Sequence, residues 1–297
     1  MARLAKNFGE SLVWRSSKRA WLGRQSARIC LIALIDEASG RVLARFAEEN
    51  STPENLDLLG VYVKRFGRPM CIRTHRLSLF RGNPRSEGER QGSDAVPGRS
   101  QIRRALAELE IEWSPTESER VSPIASEFFK VAKRELARGL SRVRARTITD
   151  ANGYLNRVYL PAWHDRHASS SGLTDVHRPV LAHQNLDAIL SEVEVRTISP
   201  NWSVQFYRGA YFVPDSERHP DLCGAQVEVE KRRNGKVYLR TDRGCIALGE
   251  TDEGFEAPSE IKVKKNISKP RGPRRFNRAW MQGFFRQPEP PLWRSLK

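Results

Sequence analysis

The residues best equipped to act on a ligand crowd the C-terminal end. From Ser259 to Lys297 there are eleven Lys and Arg against two acidic residues, a net of +9 within a chain whose formal charge is +16. Lys262, Lys264, Lys265, Lys269, Arg271, Arg274, Arg275 and Arg278 stand there among prolines and phenylalanines, with Trp280 close behind. Ammonium and guanidinium groups at this density neutralise phosphates and release counterions, and an indole among them offers a stacking face for a base. The pattern predicts a flexible arm on a nucleic-acid backbone, although a plain solvated tail would carry the same charge.

Other reactive side chains do not form recognisable sites. Cys30, Cys71, Cys223 and Cys245 show no CxxC or Cys/His pairing, so neither zinc nor a disulfide framework is signalled, and reduced, mostly buried thiols of a cytoplasmic protein are expected. His164, His167, His177 and His183 lack a metal-ligand spacing on one helix face and are expected at the surface.

These groups need a scaffold. With 297 residues, 39% of them hydrophobic, the chain can fill the core of one large domain and a smaller one. The longest apolar run, Ile29 to Ile35, falls far short of the roughly 18 residues that span a bilayer, and no signal-peptide core precedes it. A soluble protein with no membrane partner is expected.

Residues 11–14, 29–35 and 42–47 read as three strands, the second apolar throughout and therefore buried on both faces. Asp36-Glu37-Ala38-Ser39-Gly40 suits a tight reversal between the last two. Leu56, Leu59, Val63 and Phe66 recur at helical spacing over 53–66 and stop at Gly67. A strand over 70–73, a helix over 101–109, a strand over 111–113 and helices over 123–140 and 149–166 follow. The stretch 81–100 has no periodicity and is expected to be a flexible loop. Beyond residue 192 the texture changes to six short alternating segments, with Asn234-Gly235 a hairpin signal, which predicts a small all-β barrel. The implied organisation is an α/β core over 1–191, a barrel module over 192–258 and a basic tail over 259–297.

Several short stretches, in order along nearly the whole chain, give a resemblance. They are Ile35-Asp36-Glu37-Ala38-Ser39-Gly40-Arg41, Phe66-Gly67-Arg68-Pro69, Ala105-Leu106-Ala107-Glu108-Leu109-Glu110-Ile111, and Ser114-Pro115 followed by Arg120-Val121. Lys133-Arg134-Glu135-Leu136, Arg196-Thr197-Ile198-Ser199 and Pro291-Leu292-Trp293-Arg294 complete the series. The chain resembles the insertion-sequence transposases with a retroviral-integrase-type core, a small β-barrel and a basic tail. That resemblance implies an RNase H-like fold, a mixed five-stranded sheet flanked by helices, and a catalytic triad of two aspartates and a glutamate.

The acids themselves are replaced. Where the family has an aspartate at the end of the first strand, with a Trp beyond it, this chain has Arg15-Ser16-Ser17 and Trp21. Where the second aspartate follows Thr or Ser, it has Thr74-His75-Arg76; where the glutamate follows Arg-Val, Ser122 follows Arg120-Val121. Two-metal phosphoryl transfer needs hard oxygen ligands around a pair of divalent ions. A guanidinium cannot supply one, a single imidazole does not replace a magnesium site, and Ser122 before Pro123 reads as a helix cap. Glu119 and Glu127 flank Ser122 and Glu10 precedes Arg15, whereas Asp36 belongs to the hairpin turn away from the strand ends; rescue by relocated acids is not expected.

The resemblance therefore implies a double-stranded-DNA-binding protein of the transposase and integrase kind that is catalytically inactive, needs no cofactor, and is compatible with homo-oligomerisation. The alternatives are an active transposase or nuclease that uses relocated acids and Mg2+, or a basic scaffold for RNA or protein. Because the first core strand opens the chain, the upstream helix-turn-helix of such transposases, and with it sequence-specific recognition, is not expected. Arg15 and His75 could instead touch phosphate directly.

Overall fold

The computed structural model describes residues 5–23, 25–75, 100–116, 122–169, 172–207, 209–241 and 244–250. Of the expected loop over 81–100 only Ser100, the cap of the helix that follows, is among them, and the tail over 259–297 lies outside them.

Five strands build the main sheet: β1 (Ser11–Arg19), β2 (Ile29–Asp36), β3 (Val42–Ala47), β4 (Cys71–His75) and β5 (Glu112–Thr116), in the order β3-β2-β1-β4-β5. β1, β2 and β3 are antiparallel neighbours, whereas β4 and β5 run parallel to β1. With helices on both sides, this is the α/β RNase H-like arrangement. β2 is buried along its entire length, as its apolar run requires. β1 extends well past residue 14 because β2 supplies backbone partners from Leu12 to Arg19, and the ladder overrides the polarity of Arg15–Arg19.

Each face of the sheet has its own core. On one side, helix α1 (Thr52–Phe66) and helix α2 (Gln101–Glu108) cover Leu12, Trp14, Ile32, Leu34 and Ile72. Pro53 opens α1, and Gly67, at φ 97°, ends it. The arginine of the Phe66-Gly67-Arg68-Pro69 stretch is buried: Nε of Arg68 donates to the Pro179 carbonyl and Nη1 to the Leu109 carbonyl, at 2.9 and 2.8 Å. Arg68 thereby pins the end of α1 to the approach of β5.

The other face is covered by two long helices, each interrupted by a π turn. The first comprises α3 (Pro123–Val131), a π turn at Ala132–Leu136 and α4 (Ala137–Arg142). The second comprises α5 (Ile148–Tyr154), a π turn at Leu155–Tyr159 and α6 (Leu160–His167). Pro161 has no amide proton to return to the preceding turn, so a widened turn just before it is sterically reasonable. These helices bury Phe128, Leu136, Leu155 and Trp163 against Leu31, Ala33 and Phe46. No helix of the described residues is long and apolar enough to cross a membrane.

After the short α7 (Leu186–Ile189), six strands follow: β6 (Glu192–Thr197), β7 (Ser203–Phe206), β8 (Gly209–Phe212), β9 (Gln226–Lys231), β10 (Val237–Thr241) and β11 (Gly244–Ala247). They form a four-stranded sheet, β11-β10-β9-β6, and a separate β7-β8 hairpin, instead of the single closed barrel expected. Trp202 and Tyr207 take positive φ, 60° and 51°, so the chain turns out of the line of β6 before β7 and again after it. An isolated bridge between Phe212 and Gly249 rejoins the hairpin to the chain beyond β11. Ile198, Val204, Phe206, Val229 and Leu239 fill the space between.

Candidate functional site

The register of β1 against β4 brings close two of the three positions that the sequence resemblance singles out. Val13 pairs with Arg73 and Trp14 with Thr74, so Arg15 and His75 come next at the C-terminal end of the parallel pair. On β5, Thr116 lies opposite His75, which completes a row across three strands. Alternation along β1 sends Leu12 and Trp14 into the α1 side and Val13 toward the α3 side. Arg15 follows Val13: its guanidinium carbon sits 5.5 Å from the centroid of the Phe129 ring on α3.

Ser122, the third position, caps the same helix. It is buried, and its Oγ accepts the Ala125 amide at 3.3 Å, with Pro123 in the first turn. Seven residues separate it from Phe129, about 10 Å along a helix axis. Arg15 therefore meets α3 two turns beyond the cap, where Ser126 is the neighbouring small polar residue on the same stripe. Neither Phe129 nor Ser126 was singled out from the sequence; the i+4 and i+7 spacing from Ser122 is the signal that could have found them.

The acids at the opposite, N-terminal end of β1, where Leu12 pairs with Asp36, are already engaged. Glu37, almost fully buried, accepts the Ser11 hydroxyl at 2.6 Å and pairs with Nη1 of Arg73 at 3.1 Å. Asp36 accepts the Gly9 amide at 2.9 Å and both the amide and hydroxyl of Ser39 at 2.7 Å, which fixes the β2–β3 turn. Glu10 closes the chain entry by accepting from the amides of Lys6 and Asn7. Glu127 is an exposed partner of Lys130, and Glu119 lies outside the described residues. Among the described residues, no group of three His, Cys, Asp or Glu could hold a metal ion. Arg15, a guanidinium over a ring, supplies no oxygen ligand for a divalent cation.

Two of the four histidines depart from the surface positions expected. His177 is buried among Phe8, Tyr62 and Phe66; Nδ1 lies 2.6 Å from Asp175 and Nε2 2.7 Å from the Tyr62 hydroxyl. Burial, helped by the charges of Asp36 and Asp175, raises the Tyr62 hydroxyl well above the ordinary phenol range. His164 is half-buried against β3, with Nε2 3.0 Å from the Val42 amide. His167 stacks on Trp163, and His183 is exposed.

The cysteines also differ from expectation. All four are free, but Cys223 and Cys245 are exposed, because they fall on the outer turns and edge of the β module. Burial pushes the Cys71 thiol up to about 11. The basic candidates Lys262, Lys264, Lys265, Lys269, Arg271, Arg274, Arg275, Arg278 and Trp280 all lie outside the described residues.

No protein-family model and no curated protein matches the chain. Similar solved structures include a chain of the simian T-cell lymphotropic virus intasome, 12% identical over 84% of this chain and 78% of that one, with a TM-score of 0.39. The magnesium-bound HTLV-2 integrase catalytic core is 14% identical over 52% of this chain and 91% of that one, at 0.35. The BIV integrase catalytic core is 12% identical over 50% of this chain and 85% of that one, at 0.34.

Proposed function

We propose that this chain is a double-stranded-DNA-binding protein derived from an insertion-sequence transposase, with an integrase-type core that has lost strand-transfer chemistry. The observation that supports this reading most directly is the β1–β4 register, which ends at Trp14 and Thr74, the residues just before Arg15 and His75, where the resemblance calls for two carboxylates. A cation there repels the divalent ions that would have to be neutralised by oxygen ligands. Ser122, the third position, has its hydroxyl committed to a helix cap. The net charge of +16 supports a polyanionic partner.

On this reading the protein is cytoplasmic, needs no metal cofactor, and holds DNA through charge. Binding of a duplex by the full chain is expected to weaken steeply as salt rises and to be indifferent to magnesium. A flat salt response would overturn DNA binding. Magnesium- or manganese-dependent cleavage or joining, on intact or pre-cut ends, would overturn inactivity and restore an enzyme with relocated acids.

A further inference from the structure

The most concentrated bare charge among the described residues lies at the far end of the α3–α4 helix. Between Lys130 and Arg146 there are seven Lys or Arg and one acid, Glu135. Lys130 pairs with Glu127, and Arg134 shares Glu135 with Arg166. Arg138, Arg142, Arg144 and Arg146 are all exposed, and none has an ion pair among the described residues. Arg138 and Arg142 stand one turn apart on α4, about 6 Å along its axis. Arg144 and Arg146 extend the row past the helix end.

A bland account would use these bases to offset the helix dipole. That dipole amounts to about half a charge, whereas four guanidinia are present and two of them lie beyond the Val143 cap. The acids beside them are few: Asp150 accepts the Arg146 amide, and Glu135 is shared by Arg134 and Arg166, so the four guanidinia remain in excess.

The backbone adds a second, independent sign. Arg144 adopts φ 55°, the left-handed conformation that closes the helix. Its amide bonds to the Ser141 carbonyl at 3.1 Å, and the Ala145 amide to the Leu140 carbonyl at 3.0 Å, the Schellman pattern. Glycine is the residue that takes this position without strain. An arginine there means that a strained backbone coexists with an exposed side chain that has no ion pair among the described residues, the combination that points to use of the side chain.

We infer that Arg138, Arg142, Arg144 and Arg146 form a collar that grips the phosphate backbone of duplex DNA, separately from the C-terminal tail. The inference rests on the DNA-binding reading and names its surface. A duplex presents one charge per about 1.7 Å of its axis, so a row spanning about 10 Å meets several phosphates at once.

The test is the salt dependence of duplex binding by the full chain, compared with Arg138→Gln/Arg142→Gln/Arg144→Gln/Arg146→Gln and with Arg144→Gly alone. The fourfold variant is expected to lose about 3.6 from the slope of log affinity against log salt, at ~0.9 for each of the four lost phosphate contacts. Arg144→Gly is expected to lose about 1 while melting at a higher temperature than the parent, a split that a folding defect cannot produce. A steep parent slope left unchanged in both variants overturns the collar alone. A parent that binds without salt dependence overturns the DNA-binding reading beneath it as well.

Discussion

The guanidinium of Arg15 lies over the ring of Phe129, 5.5 Å from its centroid, and so couples the central strand β1 to the helix packed on it. An aromatic face attracts a cation and repels an anion. Position 15 is thus built around positive charge, with an aromatic partner that a carboxylate there would face unfavourably.

Arg15→Asp is accordingly expected to lower stability by about 1 kcal/mol, the size of a partly exposed cation–π contact. Arg15→Lys should retain most of it. The midpoint of urea unfolding for the two variants measures the difference, and equal midpoints would show that charge over Phe129 contributes nothing.

The outer edge of β3 is closed by side chains instead of a strand. Oδ1 of Asn152 accepts the Phe46 amide at 2.7 Å, and its Nδ2 donates to the Phe46 carbonyl at 2.9 Å. Asn152→Ala leaves two backbone groups of a buried residue without partners and is expected to cost about 1–3 kcal/mol. Calorimetry or urea unfolding would register the loss, and the freed edge should raise the tendency to self-associate, visible by light scattering.

His164 closes the same edge at Val42 and makes it sensitive to pH. Only the neutral ring can accept the Val42 amide, at 3.0 Å. Burial above all holds its pKa below the usual histidine value; the Val42 carbonyl opposes it next, Arg41 and Arg65 add to the lowering, and Asp165 opposes it least. The unfolded chain therefore takes up the proton first. This contribution to stability is complete above a pH of about 6.5 and is lost as pH falls through the lower folded value. His164→Gln should flatten the acid side of the stability profile; an identical fall in both proteins would assign it to other groups.

The sheet was largely legible in the sequence because its signals are local. The unbroken apolar run of β2 and the Leu56-Leu59-Val63-Phe66 stripe each define an element without knowledge of its neighbours. β1 was read as ending at residue 14, since nothing in Arg15–Arg19 announces that β2 will hold it extended. The barrel was overdrawn for a similar reason: alternation shows strands but not the positive φ of Trp202 and Tyr207 that breaks their continuity. At the site, residue types at 15, 75 and 122 were readable, whereas the Phe129 contact and the engagement of Glu37 by Arg73 depend on pairing between distant segments. His177 was read as a surface residue because an isolated polar side chain carries no sign of the aromatic pocket around it.

That pocket makes Gly9 demanding. Gly9 has φ +84°, and a Cβ built on it would lie 2.5 Å from Cε1 and Nδ1 of the His177 ring, which Asp175 and Tyr62 hold in place. Gly9→Ala combines backbone strain with overpacking and is expected to cost roughly 2–5 kcal/mol. Thermal melting would show it as a drop of several degrees.

A last prediction concerns the charges that join α2 to the β module. Glu230 is fully buried between two arginines: Nε of Arg232 donates to Oε1 at 2.6 Å and Nε of Arg240 to Oε2 at 2.5 Å. Arg240 also reaches Glu108 on α2 at 3.2 Å and the Ala188 carbonyl at 2.7 Å, while Arg104 holds Glu108 at 2.7 Å. Removing one member of such a network strands the others in a poorly solvated place, at a cost of about 3–5 kcal/mol. Glu230→Gln keeps the shape and removes only the charge, so the loss can be assigned to the ion pairs. Glu228, exposed and 3.7 Å from Arg240, is the control: Glu228→Gln should cost less than about 1 kcal/mol and become silent in high salt. If Glu230→Gln proves as mild as Glu228→Gln, the junction is held by its backbone contacts and the arginines there only line it.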